Sequence, residues 1–278
     1  MQMVAASKMK RAQAATIAGH PYTLLLGEIL ANLPLEEETI EHPLLDEREI
    51  HQRGVLLVST DKGLCGGLNA NLFREIGNFE REHQLNSSNT AYIAIGRKAS
   101  QFLARTKRNL IADFTVSDEV TFKEVRAVAN FMLQSYEKQE IDTIDVLYPR
   151  YVNTLNQEPT HVNLAPIKNF REQIQALRES YGRSEEEPDN RDSRQMSFEP
   201  SPREILEQLP PLFIRHQIYQ RILEMKASEQ SARMVAMKSA TDNANNLVDD
   251  LNLEYNKARQ AGITQEILEL AAATASTE

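Results

Sequence analysis

From about Pro202 to Ala275 the sequence runs through strong helix formers, broken only by Pro210-Pro211 and Gly262. That run predicts one very long helix. Counted in alternating steps of four and three from Met237, the positions Thr241, Ala244, Val248, Leu251, Tyr255 and Ala258 form a narrow seam at coiled-coil spacing. A helix of about 65 residues is ~100 Å long at 1.5 Å per residue, well beyond an ordinary domain. Helices in water depend on burying their apolar stripe, so this one needs a partner along its length.

The partner is expected at the other end of the chain. Residues 1–32 are also strong helix formers, with no N-cap signal ahead of them and with Val4, Ala5, Met9, Ala12 and Thr16 along one side. Gly19-His20-Pro21 interrupts the pattern, and Pro21 is expected to kink or restart the helix because proline removes an amide donor and crowds the preceding turn. Packing the two terminal helices antiparallel satisfies both stripes at once. Small residues on the seam, Ala5, Ala12, Ala244 and Ala258, allow a close approach of the axes.

Between these helices the hydrophobic period changes. Val55–Val58, Ala91–Ile95 and Leu110–Thr115 read as strands, alternating with helices over Leu68–Gln84, Arg97–Thr106 and Thr121–Lys138, the last with Ser117 or Asp118 as its cap. Such alternation predicts a parallel, doubly wound sheet. Thr143–Asn153 and Thr160–Ile167 read as two further strands whose short LNQE connection makes a hairpin, so the sheet is mixed. Pro34–Arg53, with Glu36, Glu37 and Glu38, reads as a solvated connection, and the acidic, proline-containing stretch after Gly182 as a linker. The fold class is thus mixed α/β, a Rossmann-like domain inserted into a long antiparallel coiled coil. Its divisions are an N-terminal helix over 1–33, the α/β domain over 54–180, a linker over 181–202 and the long C-terminal helix over 203–278.

The chemistry-bearing residues are sparse. A net charge of -9 disfavours general nucleic-acid binding, which rewards basic surfaces. The one cysteine, Cys65, cannot form an internal disulfide. No apolar run reaches the ~18 residues of a membrane span, so membrane contact is peripheral or through a partner. Lys8, Lys10 and Arg11 interrupt the apolar N-terminal stretch and fit a helix better than a targeting peptide. The six histidines are scattered, with no second His or Cys at metal-ligand spacing, and Glu185–Glu187 reads as a solvated loop. No catalytic, cofactor-binding or metal-binding constellation is expected.

The most suggestive stretch is STDKGLCGGLNANL, with Gly63, Gly66 and Gly67 between a strand and a helix. A glycine-rich turn there is a place where phosphates are often held. The spacing fits neither GxxxxGK[ST] nor GxGxxG, and Asp61 would repel a phosphate. A structural turn or protein-contact surface is the stronger reading. A nucleotide-dependent enzyme using this turn, or a generic coiled-coil scaffold, stand as the alternatives.

Three segments carry a resemblance that covers nearly the whole chain in order. MVAASKMKRAQ (Met3–Gln13), STDKGLCGGLNANLF (Ser59–Phe73) and the stretch from SEQSARMVAMKS through KARQAGITQEILEL (Ser228–Leu270) closely resemble the gamma subunits of bacterial F-type ATP synthases. The resemblance implies a non-catalytic central rotor that couples transmembrane ion flow to ATP synthesis and hydrolysis. It implies as partners the alpha, beta and epsilon subunits and the membrane c-subunit ring, at the cytoplasmic face of the bacterial inner membrane. Association with the membrane would be through the complex only, with no nucleic acid and no cofactor.

Matched by motif, Arg259, Gln260 and Thr264 are implied to contact beta, as is the turn Lys62, Gly63, Leu64, Cys65, Gly66 and Gly67. Met9 and Ala12 are expected to share the coiled-coil seam with Met237, Ala244, Val248, Leu251, Tyr255 and Ala258. Side chains at the C-terminal end, LELAAATASTE, are small enough for a smooth tip turning inside another protein. Two departures from the family pattern stand out. The family has about 20 residues (roughly six turns) of helix before MVAASK, which implies that Met1 marks a truncated or misannotated start and leaves the long helix partly unpaired near its membrane-proximal end. Gly262 costs about 1 kcal/mol relative to Ala in a helix, allowing a bend.

Overall fold

Alternate residues of one strand, Arg53–Val58, set the layering of the protein in the computed structural model, which describes residues 1–33, 42–167, 174–175, 177–179, 199 and 201–275. Val55 and Leu57 of this strand, β1, pack with Leu72, Ile76, Phe79, Ala99 and Leu103. Leu56 and Val58 turn to the opposite layer, with Val125, Val128, Met132, Ile214 and Ile218. Side chains on a strand alternate between faces, so a strand apolar at every position requires a layer on each side.

In chain order the elements are α1 (Gln2–Ala31), β1, α2 (Leu68–Glu82), β2 (Thr90–Ile95), α3 (Arg97–Arg105), β3 (Leu110–Phe114), α4 (Phe122–Glu137), β4 (Thr143–Tyr151), β5 (Gln157–Ala165) and α5 (Pro202–Ala275). The sheet runs β3-β2-β1-β4-β5. Its first four strands are parallel and β5 pairs antiparallel with β4, giving the mixed sheet expected. Helices α2 and α3 cover one face; α4, α1 and the first half of α5 cover the other.

Local details differ from the sequence reading. Strand β5 starts at Gln157, so the hairpin connection is 152–156, earlier in the chain than LNQE. Helix α4 is capped by neither Ser117 nor Asp118. Thr121 is its N-cap, and the Glu124 carboxylate reaches back to accept the Thr121 amide at 2.9 Å, a capping box. Pro21 does not restart α1, and α5 runs through Pro210, Pro211 and Gly262. Buried residues on both sides of each proline, Thr16 and Thr23 in α1, Leu206 and Phe213 in α5, hold the helix through it. The acidic segment from 181 to 198 and the connection 34–41 lie outside the described residues.

Helices α1 and α5 pack antiparallel, as three contacts in sequence show. Thr16 meets Gln220, Tyr22 meets His216, and Gly27 approaches Phe213. The register places α1 against the first part of α5. α1 and the α/β domain together bury α5 from Gln220 to Ser231, while every residue from Lys238 to Glu269 is exposed. Met9, Ala12 and Met237 are half-buried, whereas Ala244, Val248, Leu251, Tyr255 and Ala258 are exposed, with no partner among the described residues. The unpaired stretch lies at the end of α5 far from the α/β domain. The resemblance had placed it on the membrane side. No helix among the described residues is long and apolar enough to cross a membrane.

Candidate functional site

The glycine-rich turn leaves β1 through two buried polar residues. Ser59 accepts the Ala99 amide on its Oγ at 2.7 Å, and Thr60 Oγ1 donates to the Lys62 carbonyl at 2.8 Å. Asn69, in the first turn of α2, donates to Thr60 Oγ1 at 2.8 Å and to Cys65 Sγ at 3.4 Å. The backbone is left-handed at Leu64 (φ 63°) and at Gly66 (φ 58°). Only Gly66 of the three glycines is required by its conformation, since a side chain at Gly63 would meet open space and one at Gly67 only ordinary contacts.

The turn is not shaped for a phosphate. Asp61 Oδ1 accepts the Arg97 amide at 3.1 Å, so a carboxylate stands beside the turn at the start of α3 and opposes a second anion there. Lys62, Gly63, Leu64, Gly66 and Gly67 are exposed. Cys65 is not on that surface: it is 3% exposed, packed beneath the turn, and burial pushes its thiol above the ordinary range. Among the described residues no three or more His, Cys, Asp or Glu side chains converge as a metal site would need.

The turn is held against α5 by charges that sequence reasoning did not single out. Arg233 donates from Nη2 to the Gly63 carbonyl at 3.2 Å and pairs with Glu229 at 2.8 Å. Buried Lys226 lies 3.8 Å from Glu229 and 4.0 Å from Asp61. Their i, i+3 and i, i+4 spacing is visible in the sequence. Their burial is not, because it depends on where the turn lands.

Two other loops reach the same level of the helix pair. Ser228 and Ser231, both fully buried, donate to the carbonyls of Pro149 and Thr154 in the β4–β5 hairpin, each at 2.8 Å. On the β3–α4 loop, Asp118 pairs with Lys8 of α1 at 2.5 Å and Glu119 with Arg11 at 3.2 Å. The hydrogen bond from Lys8 holds the Asp118 carboxyl below its ordinary range.

Arg259, Gln260 and Thr264 lie elsewhere. All three are exposed on the free part of α5, and Thr264 Oγ1 donates to the Gln260 carbonyl at 2.8 Å within the helix. Arg259 follows Arg233 by roughly 40 Å of helix at 1.5 Å per residue. The structure therefore does not bring the turn and the KARQA segment together; they are two stations along one rod.

The comparisons with known proteins agree with this architecture. A family model described as ATP synthase matches residues 1–276. The ATP synthase gamma chain of Opitutus terrae is 48% identical over 273 residues, covering 98% of this chain and 90% of that one. The gamma chain of Methylacidiphilum infernorum is 44% identical over 278 residues, with the same coverage of 98% and 90%. Among solved structures, a chain of the central stalk and c-ring of the Tetrahymena thermophila mitochondrial ATP synthase superposes with a TM-score of 0.63 at 25% identity. That match covers 87% of this chain and 97% of the other. With a rod, a braced α/β body and near-full-length matches of this kind, the chain belongs to the gamma-chain family of ATP synthases.

Proposed function

We propose that this chain is the non-catalytic rotor shaft of an F-type ATP synthase, turning inside a ring of alpha and beta subunits that hold the nucleotides. One observation carries the reading: α5 is buried from Gln220 to Ser231 and then continues, wholly exposed, from Lys238 to Glu269. That stretch spans roughly 50 Å at 1.5 Å per residue. A lone helix in water is marginal, so this stretch depends on partners along its length. Its exposed apolar residues include Leu247, Val248, Leu251, Leu253, Ile263, Ile267 and Leu268. At 3.6 residues per turn they are spread around the whole circumference, so apolar surface faces every direction from this part of the rod.

In this reading the rod supplies stiffness and asymmetry, not chemistry. Each orientation gives each catalytic site a different conformational free energy, which is coupling between distant sites through a rigid element. Arg259, Gln260 and Thr264 contact beta along the shaft, and Lys62, Gly63, Leu64, Gly66 and Gly67 do so at its base. The α/β domain meets the epsilon subunit and the c-subunit ring, which places the chain peripherally at the cytoplasmic face of the inner membrane.

Purification tests this directly. A tagged chain expressed in its own cell should bring down alpha, beta, epsilon and c subunits from solubilised membranes, while the isolated chain neither hydrolyses ATP nor binds it in calorimetry. Micromolar ATP binding by the isolated chain, abolished by substituting Gly66 and Gly67, would overturn the proposal in favour of a nucleotide-dependent enzyme.

A further inference from the structure

Ser231 and Arg233 are two residues apart on α5, hence about 200° apart around the helix. One grips the β4–β5 hairpin through the Thr154 carbonyl, the other the glycine-rich turn through the Gly63 carbonyl. The two loops therefore straddle α5 from nearly opposite sides. Each ends in a leucine held out in solvent: Leu64 is 65% exposed and Leu155 81% exposed.

A single exposed leucine is ordinary on a protein surface. These two differ in the rigidity of what carries them. Leu64 sits in a left-handed conformation that a leucine rarely adopts, on a turn tied to Arg233. At the hairpin tip, Asn153 Oδ1 accepts the amides of Leu155 at 2.9 Å and Asn156 at 2.8 Å. Gln157 donates to the carbonyls of Asn153 and Thr154, each at 3.1 Å. Below the tip, Gln13 of α1 donates to the Tyr151 hydroxyl at 3.2 Å. An anchor whose backbone is already fixed loses little conformational entropy on docking.

Position along the rod identifies the occupant. A sleeve that encloses Lys238 to Glu269 reaches the body of this chain first at the level of residues 231–233, where the two tips stand on either side. We infer that the β4–β5 hairpin tip, centred on Leu155 and flanked by half-exposed Val152, is a second contact of the rotor base with the alpha–beta ring, with Ser228 and Ser231 as its positioning residues. The inference rests on the rotor reading above. Contact on one side alone would tilt the rod within its sleeve; contact on both sides centres it.

The test uses the assembled complex, with a photo-crosslinking benzoyl-phenylalanine placed at Leu155, and separately at Leu64 and at Ile111. Ile111 serves as the control, an exposed apolar residue on the β3 edge of the sheet. Position 155 should give adducts with alpha or beta several-fold above those from position 111. Ser231→Ala should lower the adduct yield from position 155 several-fold, and Ser231→Thr, which keeps the hydroxyl, should restore it. Adducts from position 155 confined to epsilon or c subunits, or no adducts while position 64 crosslinks to beta, would overturn the inference and leave the rotor reading intact. Failure of the unmodified chain to co-purify with alpha and beta would bring down both.

Discussion

Gln220 of α5 donates its Nε2 to the Thr16 carbonyl of α1 at 2.8 Å, a buried bond between residues 204 positions apart. Gly19, one turn on from Thr16, leaves the space that the Gln220 side chain occupies, and a Cβ at Gly19 would collide with its Oε1. The bond fixes the antiparallel register of the two terminal helices, because a shift by one turn would leave a buried amide unpaired.

Gln220→Ala should therefore lower stability by about 1 kcal/mol, the net worth of one hydrogen bond, since the Thr16 carbonyl lies within α1 and keeps its helical partner. Gly19→Ala should also destabilise the wild-type chain. In the Gln220→Ala background the same change should become neutral or gain about 1 kcal/mol, since Ala is the better helix former. Denaturant unfolding of the four members of this cycle measures the coupling; additive effects would show that the two positions do not share the space.

Gly96, between β2 and α3, has φ 89°, and a Cβ there would press into the Ser59 carbonyl, part of the backbone. Neither the conformation nor the neighbour can give way. Gly96→Ala should cost about 2–3 kcal/mol, the scale of a strained backbone position. Gly63→Ala, with open space and no left-handed requirement, should stay within about 0.5 kcal/mol of wild type. Thermal unfolding of the two variants separates the glycine that is structurally required from the one that is not.

Asp145 of β4 is fully buried and surrounded by donors: Thr143 Oγ1 at 2.6 Å, His161 Nε2 at 2.8 Å, Asn163 Nδ2 at 3.0 Å and Arg53 Nη1 at 3.2 Å. Burial by itself would raise its pKa, but the hydrogen bonds from His161, Thr143 and Asn163 prevail and hold the carboxyl below its ordinary range. A depressed folded-state pKa means that the unfolded chain binds the proton more readily. The stability from Asp145 is thus complete above the unfolded value, ~3.9, and is lost as pH falls through the lower folded value. Asp145→Asn should cost about 3 kcal/mol at neutral pH and flatten the acid limb of the stability profile. An unchanged acid limb would remove Asp145 from that role.

Arg259→Ala with Gln260→Ala alters two exposed side chains on the free part of α5. Stability of the isolated chain should change by no more than about 0.5 kcal/mol, as for surface positions without special contacts. Assembled complexes carrying both changes should form in normal yield and synthesise ATP more slowly at the same ion gradient. Undiminished synthesis in such complexes would take the pair out of the coupling contact.

The strand and helix alternation was legible because each β1 residue from Val55 to Val58 is apolar, and only a sheet covered on both faces buries such a run. The rod was legible too: seventy-odd positions with no effective breaker, flanked by a second helix of matching character, leave few other folds. The long motifs at Met3, Ser59 and Ser228 carried the family. These are local or periodic properties, and the chain states them residue by residue.

Register and contact were decided only by the tertiary structure. The seam from Ala244 to Ala258 has coiled-coil spacing, yet the spacing is silent about which turn of α1 stands opposite; Gln220 and the α/β domain set α1 against the first part of α5. Nothing in the local sequence singles out Arg233, which becomes the clamp on the glycine-rich turn only because that turn arrives from 170 positions away. Cys65 belongs to a turn expected to contact beta, yet it is buried beneath that turn, where its Sγ accepts from Asn69. Sequence periodicity fixes which face of an element is apolar. What meets that face depends on long-range packing, which no local pattern encodes.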